Sequence, residues 1–375
     1  MSADQQVVSL YASTLKELLK PIGPHLDDDG VSEIMINGHA DIFVERSGRI
    51  ERSTSAFEDE DALAAAMRNV AQYVGKRLTP EDPSVEARLP DGSRVHIVQA
   101  PAARNGMCVA IRKFSKHKLD MSALVGFGAL TPEVAEFLGI CVAAAKNIIV
   151  SGGTGSGKTT LLNCLSAMIM EGERILVLED SSELQLQQEH VVSFEAQPPD
   201  RHGRGGLTIR DLFRASLRMR PDRVVVGECR GGEALDMIQA MTSGHSGSLS
   251  TCHANTPYDA MNRLETMSLM GDVKMPLSAL RKQLASAVDV IVQVNRFHDG
   301  ARKITEIAEV LPLTADGEYQ LAPIYQLRAS SRTRLSKASL QHTGYVPTFA
   351  EDPSDIGIAD MVNLSSACWR QPNED

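Results

Sequence analysis

Residues 147–169, NIIVSGGTGSGKTTLLNCLSAMI, are the stretch that decides the fold of this chain. The stretch passes from a short apolar segment through a glycine-rich loop into an apolar segment with helical spacing. Residues 152–159 fit the pattern G-x-x-x-x-G-K-[ST], with a strand pattern before them and a helix pattern after them. Backbone amides of such a loop and the positive end of the helix bind phosphate oxygens. The sequence therefore predicts a phosphate-binding loop made of Gly152, Gly153, Thr154, Gly155, Ser156, Gly157, Lys158, Thr159 and Thr160.

Two side chains in this loop have predicted roles toward a nucleotide. Lys158 is expected to reach the β- and γ-phosphates, and Thr159 is expected to offer its hydroxyl to Mg²⁺. A flexible glycine loop without function is the alternative interpretation, but it gives no reason for the lysine, the threonine and both flanking elements.

The segments that follow the loop alternate between strand and helix patterns. RILVLED, RVVVGE and GSLSTCHA are typical of buried strands, and IRDLFRASLRM and GEALDMIQAM are typical of amphipathic helices. Such alternation predicts an α/β fold, a parallel sheet with helices on both faces, over residues 131–312.

The rest of the chain is predicted to form smaller segments. Val8, Tyr11, Leu15 and Leu18 have helical spacing within a helical segment at residues 1–29. Turn signals and an amphipathic pattern at residues 59–78 predict a small α+β domain over residues 30–115. A linker is expected at 116–130, and a partly irregular C-terminal extension at 313–375.

Acidic residues follow two of the predicted strands. Glu179, Asp180 and Glu183 come after the first strand, and Glu228 comes after the second. Carboxylates at the C-terminal end of a parallel strand lie beside the phosphate-binding loop. One of the first three is expected to orient an attacking water, although a solvated acidic turn remains the alternative. Glu228 is expected to hold the water shell of Mg²⁺.

Residues 244–255, GHSGSLSTCHAN, contain His245, Cys252 and His253, which could be metal ligands, nucleotide-sensing residues or simple loop residues. A zinc site needs three or four convergent ligands, usually at paired spacing. The histidines are eight residues apart, and adjacent residues of a strand point to opposite faces. The pattern therefore favours a sensor of the nucleotide state, with no structural metal.

Composition limits the possible functions. A net charge of -10 argues against a general nucleic-acid coat, so no nucleic-acid partner is expected. The cysteines are scattered without a C-x-x-C pair, which is typical of a reducing, cytoplasmic compartment. No signal peptide and no apolar run of about 18 residues are found, so membrane contact is expected only through a partner.

Four ordered motifs together resemble those of the type II/IV secretion ATPase superfamily, and within it the CpaF/TadA group that powers Tad-type pilus assembly. The motifs are SGGTGSGKTT, LEDSSELQL, SLRMRPDRVVVGECRGGEALDM and GHSGSLSTCHAN. In that family they are the Walker A motif, the Asp box, an atypical Walker B motif and the His box. The resemblance extends from VSEIMING to VQVNRFHDG and implies a RecA-like P-loop NTPase domain.

The resemblance also implies residue roles and partners. Glu183 would position water, Glu228 would bind Mg²⁺ through water, and the His box residues His245 and His253 would link the γ-phosphate to neighbouring elements. Matches in DGSRV, AIRKF and the segment after the Walker B motif make three arginines candidates for nucleotide contact: Arg94, Arg112 and Arg230. The family implies ATP and Mg²⁺, a homohexamer, and peripheral attachment to an inner-membrane platform protein.

The resulting prediction is a hexameric cytoplasmic ATPase motor for pilus assembly or protein secretion. The alternatives are a RecA-like nucleic-acid translocase or conjugation-system ATPase, a nucleotide switch that does not hydrolyse ATP, and a small-molecule kinase. Stimulation by single-stranded DNA would favour the translocase. Turnover that is lost in Glu183→Gln would exclude the switch, and phosphate release without an acceptor would exclude the kinase.

Overall fold

The predicted alternation of strands and helices is present in the computed structural model, which describes residues 14–46, 48–114, 119–199, 203–271, 275–328 and 335–370. The chain divides into two compact units, Met1–Lys118 and Leu119–Asp375. The predicted fold class, an α/β domain with parallel strands preceded by a smaller α+β domain, is confirmed. The predicted helix positions Val8 and Tyr11 lie outside the described residues, whereas residues 14–18 are helical.

The first unit contains a six-stranded antiparallel sheet with the strand order β3-β2-β1-β6-β5-β4. Its strands are β1 (Val31–Asn37), β2 (Ile42–Arg46), β3 (Arg49–Arg52), β4 (Ser84–Arg88), β5 (Arg94–Val98) and β6 (Cys108–Arg112). The described part of this unit also contains the helical residues 14–18, a 3₁₀ turn (Lys20–Ile22) and the helices α1 (Gly23–Asp27) and α2 (Glu60–Tyr73).

Helix α2 covers one face of this sheet with its apolar stripe. Asp59 caps the helix by accepting the N–H of Ala62, and Met67 and Val70 are fully buried among the inward side chains of the strands. The helix ends at Tyr73, before the predicted end at residue 78, because Gly75 has a φ of 71° that does not continue a right-handed helix.

The second unit contains a nine-stranded mixed sheet with the order β15-β14-β13-β12-β7-β11-β10-β8-β9. Neighbouring strands from β12 through β7 to β9 are parallel, and β13, β14 and β15 are antiparallel additions. The strands are β7 (Ile148–Gly152), β8 (Ile175–Glu179), β9 (Val191–Glu195), β10 (Arg223–Val226), β11 (Leu249–Cys252), β12 (Val290–Arg296), β13 (Arg302–Leu311), β14 (Gln320–Arg328) and β15 (Ser339–His342).

Helices pack on both faces of this sheet. They are α3 (Met121–Gly126), α4 (Pro132–Ala143), α5 (Lys158–Ser166), α6 (Ile209–Ser216), α7 (Glu233–Met241), α8 (Pro257–Leu269), α9 (Leu277–Ala287) and α10 (Asp352–Asp355). Short 3₁₀ turns occur at Leu217–Met219, Leu335–Lys337, Ala359–Met361 and Ser366–Cys368. Threonine side chains accept backbone N–H groups at the first turns of α4, α6 and α8, which stabilises those starts.

Successive residues of β7 belong to different apolar cores. Ile148 and Val150 pack with α4 and α5, whereas Ile149 packs with α6, α7, α8 and α9. Because side chains alternate along a strand, a central strand buried on both sides is continuously apolar. This arrangement fixes β7 in the middle of the sheet and places the loop after it at the sheet's C-terminal edge.

The C-terminal extension at 313–375, predicted to be partly irregular, contains regular structure that belongs to the sheet. Strands β14 and β15 lie beyond residue 312 and continue the sheet. The sequence pattern there is interrupted by Pro323, which pairs with Ala308 beside an irregularity in the β13–β14 register, a position where a proline is tolerated in a sheet. The edge strand β9 was not predicted either.

Residues 343–370, here called the C-terminal strap, dock on helix α4. The ring of Trp369 stacks on Phe137 with a centroid distance of 5.2 Å. The Glu136 carboxylate accepts three backbone N–H groups of the strap, those of Asn363, Leu364 and Ser365. The predicted linker at 116–130 also belongs partly to this unit, since Leu124 and Leu130 are buried in the core that α4 and the strap share.

Candidate active site

The glycines of the phosphate-binding loop are required by its backbone. A Cβ atom on Gly152 would lie 2.3 Å from the carbonyl oxygen of Val294 on β12. Gly155 and Gly157 have φ values of 66° and 99°, which side chains rarely tolerate. The sequence forms this tight loop because glycine stands at each of these three positions, and α5 starts directly after it at Lys158.

Lys158 is buried at the start of α5, with 7% of its surface exposed. Its Nζ donates to the carbonyl oxygen of Gly153 at 3.0 Å and lies 3.5 Å from Nδ1 of His253. The ammonium is therefore held over the loop that the sequence predicts to bind phosphate. Thr159 and Thr160 follow on the first helical turn and are half-buried.

Glu228 lies two residues beyond the end of β10, close to the side chains of Arg230 and His253. Its Oε2 accepts from Nη2 of Arg230 at 2.6 Å, and this bond raises the pKa of Arg230. Arg230 also lies 3.3 Å from Oδ2 of Asp180, through Nη1. The atypical acid after β10 and the Asp box after β8 thus converge on one guanidinium.

His253 follows the end of β11 and lies between Lys158 and Glu228. Its Nε2 is 2.7 Å from Oε1 of Glu228. Partial burial lowers the pKa of His253, and the positive charge of Lys158 lowers it further. The ring is therefore neutral at neutral pH. A neutral ring that accepts from Lys158 through Nδ1 carries its proton on Nε2, toward Glu228. His253 therefore lies between the two charged groups, hydrogen-bonded to Lys158 and in close contact with Glu228.

Glu179 at the end of β8 is buried, with 3% of its surface exposed. Its carboxylate accepts the backbone N–H groups of Glu183 and Leu184 at 2.9 and 3.0 Å. Burial raises its pKa to about 7, and the neighbouring charges of Glu183 and Glu195 add to this effect. Glu179 thus holds the turn that follows β8, and the half-buried side chain of Glu183 comes from the end of this turn.

His245 does not lie near the phosphate-binding loop. It precedes β11, whereas His253 follows it, and β11 runs parallel to β7 in the sheet. Ser248, three residues after His245, donates its N–H to the side chain of Asn147 at the start of β7. Four residues of strand at about 3.3 Å each separate the two ends. The expectation that both histidines of the His box reach one site is therefore not met, because they lie at opposite edges of the sheet.

The two candidate arginines of the first unit lie side by side. Arg94 on β5 pairs directly with Arg112 on β6, so both side chains leave the same face of the sheet. Arg88 on β4 pairs directly with Arg94 and extends this row to three arginines. Arg88 was not singled out in the sequence, although its position in a strand pattern ahead of the Asp91-Gly92 turn predicts this register.

Two arginines of the second unit were also missed. Arg302 on β13 donates through Nε to the carbonyl oxygen of Gly155 at 2.9 Å. Nη1 of Arg296, at the end of β12, lies 3.2 Å from the position of a Cβ atom on Gly155. The sequence signal for both is the HDG turn between two strand patterns. Their place beside the loop depends on the strand order, which the sequence does not give.

The loop and the strand ends offer oxygen ligands of the kind that Mg²⁺ prefers. Among the described residues, none donates an aligned hydrogen bond to the buried Oε1 of Glu228, although Nε2 of His253 lies 2.7 Å from it. An uncompensated carboxylate oxygen fits a nearby Mg²⁺ or a water bound to it. Thr159, on the first turn of α5, is the second candidate ligand.

A zinc site is not supported around His253. Burial raises the pKa of the adjacent Cys252 to about 12, which keeps its thiol protonated and unsuited to metal binding. The described part of the chain contains no group of three or more histidine, cysteine or acidic residues that could hold a metal. The absence of a structural metal stays a prediction that metal analysis tests.

Comparison with known proteins identifies the family. The family model described as "Type II/IV secretion system protein" matches residues 16–332. A putative conjugal transfer protein of Mycobacterium tuberculosis is 35% identical over 308 residues, covering 80% of this chain and 86% of that protein. The type IV secretion system protein VirB11 of Brucella suis is 33% identical over 325 residues, covering 79% of this chain and 90% of that protein. The chain belongs to the type II/IV secretion system protein family.

A solved structure agrees in fold. The Legionella pneumophila ATPase DotB has a TM-score of 0.54 and 18% identity, covering 83% of this chain and 80% of that chain. At this identity the likeness concerns the fold alone. Among the helices in the ranges described above, none has the length and apolarity needed to cross a membrane.

Proposed function

We propose that this member of the type II/IV secretion system protein family is a cytoplasmic, Mg²⁺-dependent ATPase that drives pilus assembly or protein secretion. The observation that carries the proposal is the convergence of Lys158, His253 and Glu228 at the phosphate-binding loop. Phosphoryl transfer to water requires little covalent chemistry from the protein, so positioning and charge neutralisation are its main contributions.

Substrate binding is assigned to the loop and to Lys158. The backbone amides of residues 152–159 and the N-terminus of α5 surround the phosphates, and the ammonium of Lys158 neutralises their charge. Because Lys158 is already held over the loop by Gly153, its ammonium needs only a small displacement to reach a bound phosphate.

Water activation is assigned to Glu183. Glu179 is the less suitable acid because its carboxylate is occupied by two backbone N–H groups and its pKa is raised to about 7 by burial. Glu179 instead orients the turn that carries Glu183. Glu183 is the acid of the Asp box to which the family resemblance assigns the orientation of the attacking water, and the proposal follows that assignment.

Sensing of the γ-phosphate is assigned to His253. A ligand shifts a conformational equilibrium only when its contacts differ between the two states. When Lys158 moves toward the γ-phosphate of ATP, His253 loses that neighbour and its contact with Glu228 changes. His245 is not part of this sensor, since it lies at the other edge of the sheet.

Mg²⁺ would be held by Thr159 and, through water, by Glu228, and when bound it would supply further neutralisation of phosphate charge. Arg230 links Glu228 to Asp180 and so fixes the orientation of the Glu228 carboxylate. We assign Arg94 and Arg112 to the nucleotide phosphates on the strength of their direct pairing and the family resemblance.

The proposal also covers the oligomeric state and the membrane partner. The four motifs resemble those of the CpaF/TadA group, which supports a homohexamer that acts on an inner-membrane platform protein. Light scattering of the purified protein tests the hexamer, and crosslinking in native membranes tests the platform partner. A monomer in the presence of ATP would contradict the ring.

Phosphate release from Mg²⁺-ATP by the purified chain, without an added acceptor, tests the enzymatic proposal. Lys158→Ala should reduce turnover by orders of magnitude, because the loop loses its phosphate-binding charge. Lys282→Ala, an exposed lysine on α9, is the matched control and should retain full turnover. Near-normal turnover in folded Lys158→Ala protein would contradict the assignment of this loop as the ATP-binding site.

Glu183→Gln separates binding from chemistry. The variant should bind ATP normally and hydrolyse it slowly, whereas Glu179→Gln should retain more activity. The reverse order of activities would identify Glu179 as the acid that acts on water.

A second candidate function is favoured by one comparison. The 35% identity to a putative conjugal transfer protein supports a role in a DNA-transfer system. Stimulation of ATP turnover by single-stranded DNA distinguishes this function, because a motor that acts only on a protein platform does not respond to DNA.

A further inference from the structure

The hairpin formed by β12 and β13 carries two arginines to the edge of the sheet where the phosphate-binding loop lies. Val294 of β12 pairs with Gly152 of β7, so β12 runs directly beside the strand that enters the loop. Two residues later, Arg296 pairs with Arg302 of β13. Because directly paired residues share a face of the sheet, both guanidinium groups leave the hairpin on the same side.

Both arginines contact the glycine positions of the loop. Nε of Arg302 donates to the carbonyl oxygen of Gly155 at 2.9 Å, and its Cδ lies 3.6 Å from the position of a Cβ atom on Gly157. Nη1 of Arg296 lies 3.2 Å from the corresponding position on Gly155. Glycine at these positions therefore serves two purposes, since it allows the left-handed backbone and also leaves space for the arginine side chains.

The bond to Gly155 determines the orientation of a loop amide. A peptide bond is planar and trans, so its carbonyl oxygen and its N–H point in opposite directions. Because Arg302 binds the oxygen of Gly155, the N–H of Ser156 must point away from Arg302. This N–H is directed toward the carbonyl oxygen of Gly153, the same oxygen that accepts from Lys158.

We propose that Arg302 is a positioning residue for nucleotide binding, which holds the Gly155–Ser156 peptide in the orientation that the phosphates require, and that Arg296 adds positive charge beside the same peptide. The inference rests on the proposed function, because it assumes that the loop binds a nucleoside di- or triphosphate. The proposed role involves the hairpin formed by β12 and β13, which lies outside all four sequence motifs.

The proposed role of Arg302 predicts which nucleotides should bind more weakly when this side chain is removed. Loop amides surround the phosphates common to ADP and ATP. A residue that orients these amides should affect ADP and ATP equally. A residue that touches only the γ-phosphate would affect ATP alone, and one that touches the base or ribose would weaken AMP as well.

Binding of ADP, ATP and AMP to full-length Arg302→Ala, measured by titration calorimetry, tests the proposal. Dissociation constants for ADP and ATP should both rise by about tenfold, a value at the lower end for a charge-assisted hydrogen bond because Arg302 is exposed. AMP binding should not change. His298→Ala, an exposed residue in the turn of the same hairpin, is the control and should bind all three ligands like the parent chain.

Two further measurements separate positioning from a structural or purely electrostatic effect. The thermal midpoint of Arg302→Ala should equal that of the parent chain, and its loss of turnover should appear in KM more than in kcat. Arg302→Lys keeps the charge but lacks the planar Nε donor, so it should recover only part of the affinity. Full recovery by lysine would overturn the positioning role.

The possible failures are distinguishable. ADP affinity within about twofold of the parent chain in Arg302→Ala would overturn this inference while leaving the proposed ATPase intact, since a lost hydrogen bond to the loop must cost more than that. A parent chain that neither binds ADP nor releases phosphate from ATP would overturn the proposed function and the inference with it.

Discussion

Replacing Glu179 with glutamine should change how the stability of the second unit depends on pH. Glu179 is buried at the end of β8, and burial raises its pKa to about 7. In the unfolded chain the same carboxyl group has an ordinary, much lower pKa. Glutamine keeps a side-chain oxygen for the N–H groups of Glu183 and Leu184 but cannot ionise.

The sign follows from proton linkage. At about pH 4 and below, Glu179 is protonated in both the folded and the unfolded chain and has no effect on the pH dependence. As the pH rises toward 7, the unfolded chain loses this proton while the folded chain retains it. Folded stability therefore falls through this window and levels off above the folded pKa.

The magnitude follows from the same values. Each pKa unit corresponds to about 1.4 kcal/mol, so ionisation of Glu179 should reduce the free energy of unfolding by about 3 kcal/mol between about pH 4 and pH 8. The other titrating groups contribute equally to the parent chain and to Glu179→Gln. The free energy of unfolding of the parent chain minus that of Glu179→Gln should therefore be about 3 kcal/mol higher at about pH 4 than at about pH 8.

Urea unfolding at a series of pH values measures this difference. Trp369 is the single tryptophan of the chain and is buried in the second unit, so its fluorescence reports the unfolding of that unit. Glu171→Gln, in the exposed loop before β8, is the control for loss of a surface carboxylate. Parallel stability curves for the parent chain and Glu179→Gln would refute the reasoning, since they would mean that Glu179 ionises freely in the folded protein.

Three further predictions concern other parts of the molecule. His253→Ala should lower ATP turnover by about tenfold with little change in ATP affinity, whereas an equal loss of both would place His253 among the binding residues. Arg94→Ala should lower turnover by about 10³-fold in a folded protein, and unchanged turnover would exclude contact of Arg94 with the transition state. Trp369→Ala should destabilise the second unit by about 3 kcal/mol, measured by circular dichroism during urea unfolding, and no change would show that the strap is loosely held.

The sequence predicted the parts of the site that depend on local pattern. The glycine-rich loop is recognisable because its conformation demands glycine, lysine and threonine at fixed spacing between a strand and a helix. The proximity of Glu228 and His253 to the loop was predictable because each follows a parallel strand, and the C-terminal ends of parallel strands meet at one edge of a sheet.

The parts that were not predicted depend on pairing between distant segments. His245 and His253 belong to the same motif, but strand β11 lies between them. Their spacing of eight residues does not indicate which edge of the sheet each histidine reaches. Arg302 lies beside the loop only because β12 is the neighbour of β7, a fact of strand order. Residues 343–370 show no regular apolar period, since their contacts with α4 come from single side chains such as Trp369.

The docking of the C-terminal strap has a consequence for the order in which the protein can fold during synthesis. The contact between Glu136 and Ser365 joins residues that are 229 positions apart. The ribosome synthesises the phosphate-binding loop, the acidic residues of the site and His253 long before Trp369. During this time Phe137 on α4 lacks its stacking partner. Contacts of such long sequence separation form late and slowly. The nascent second unit therefore exposes this face of α4 until the strap has been synthesised, and in this interval a chaperone that binds apolar helices has access to it.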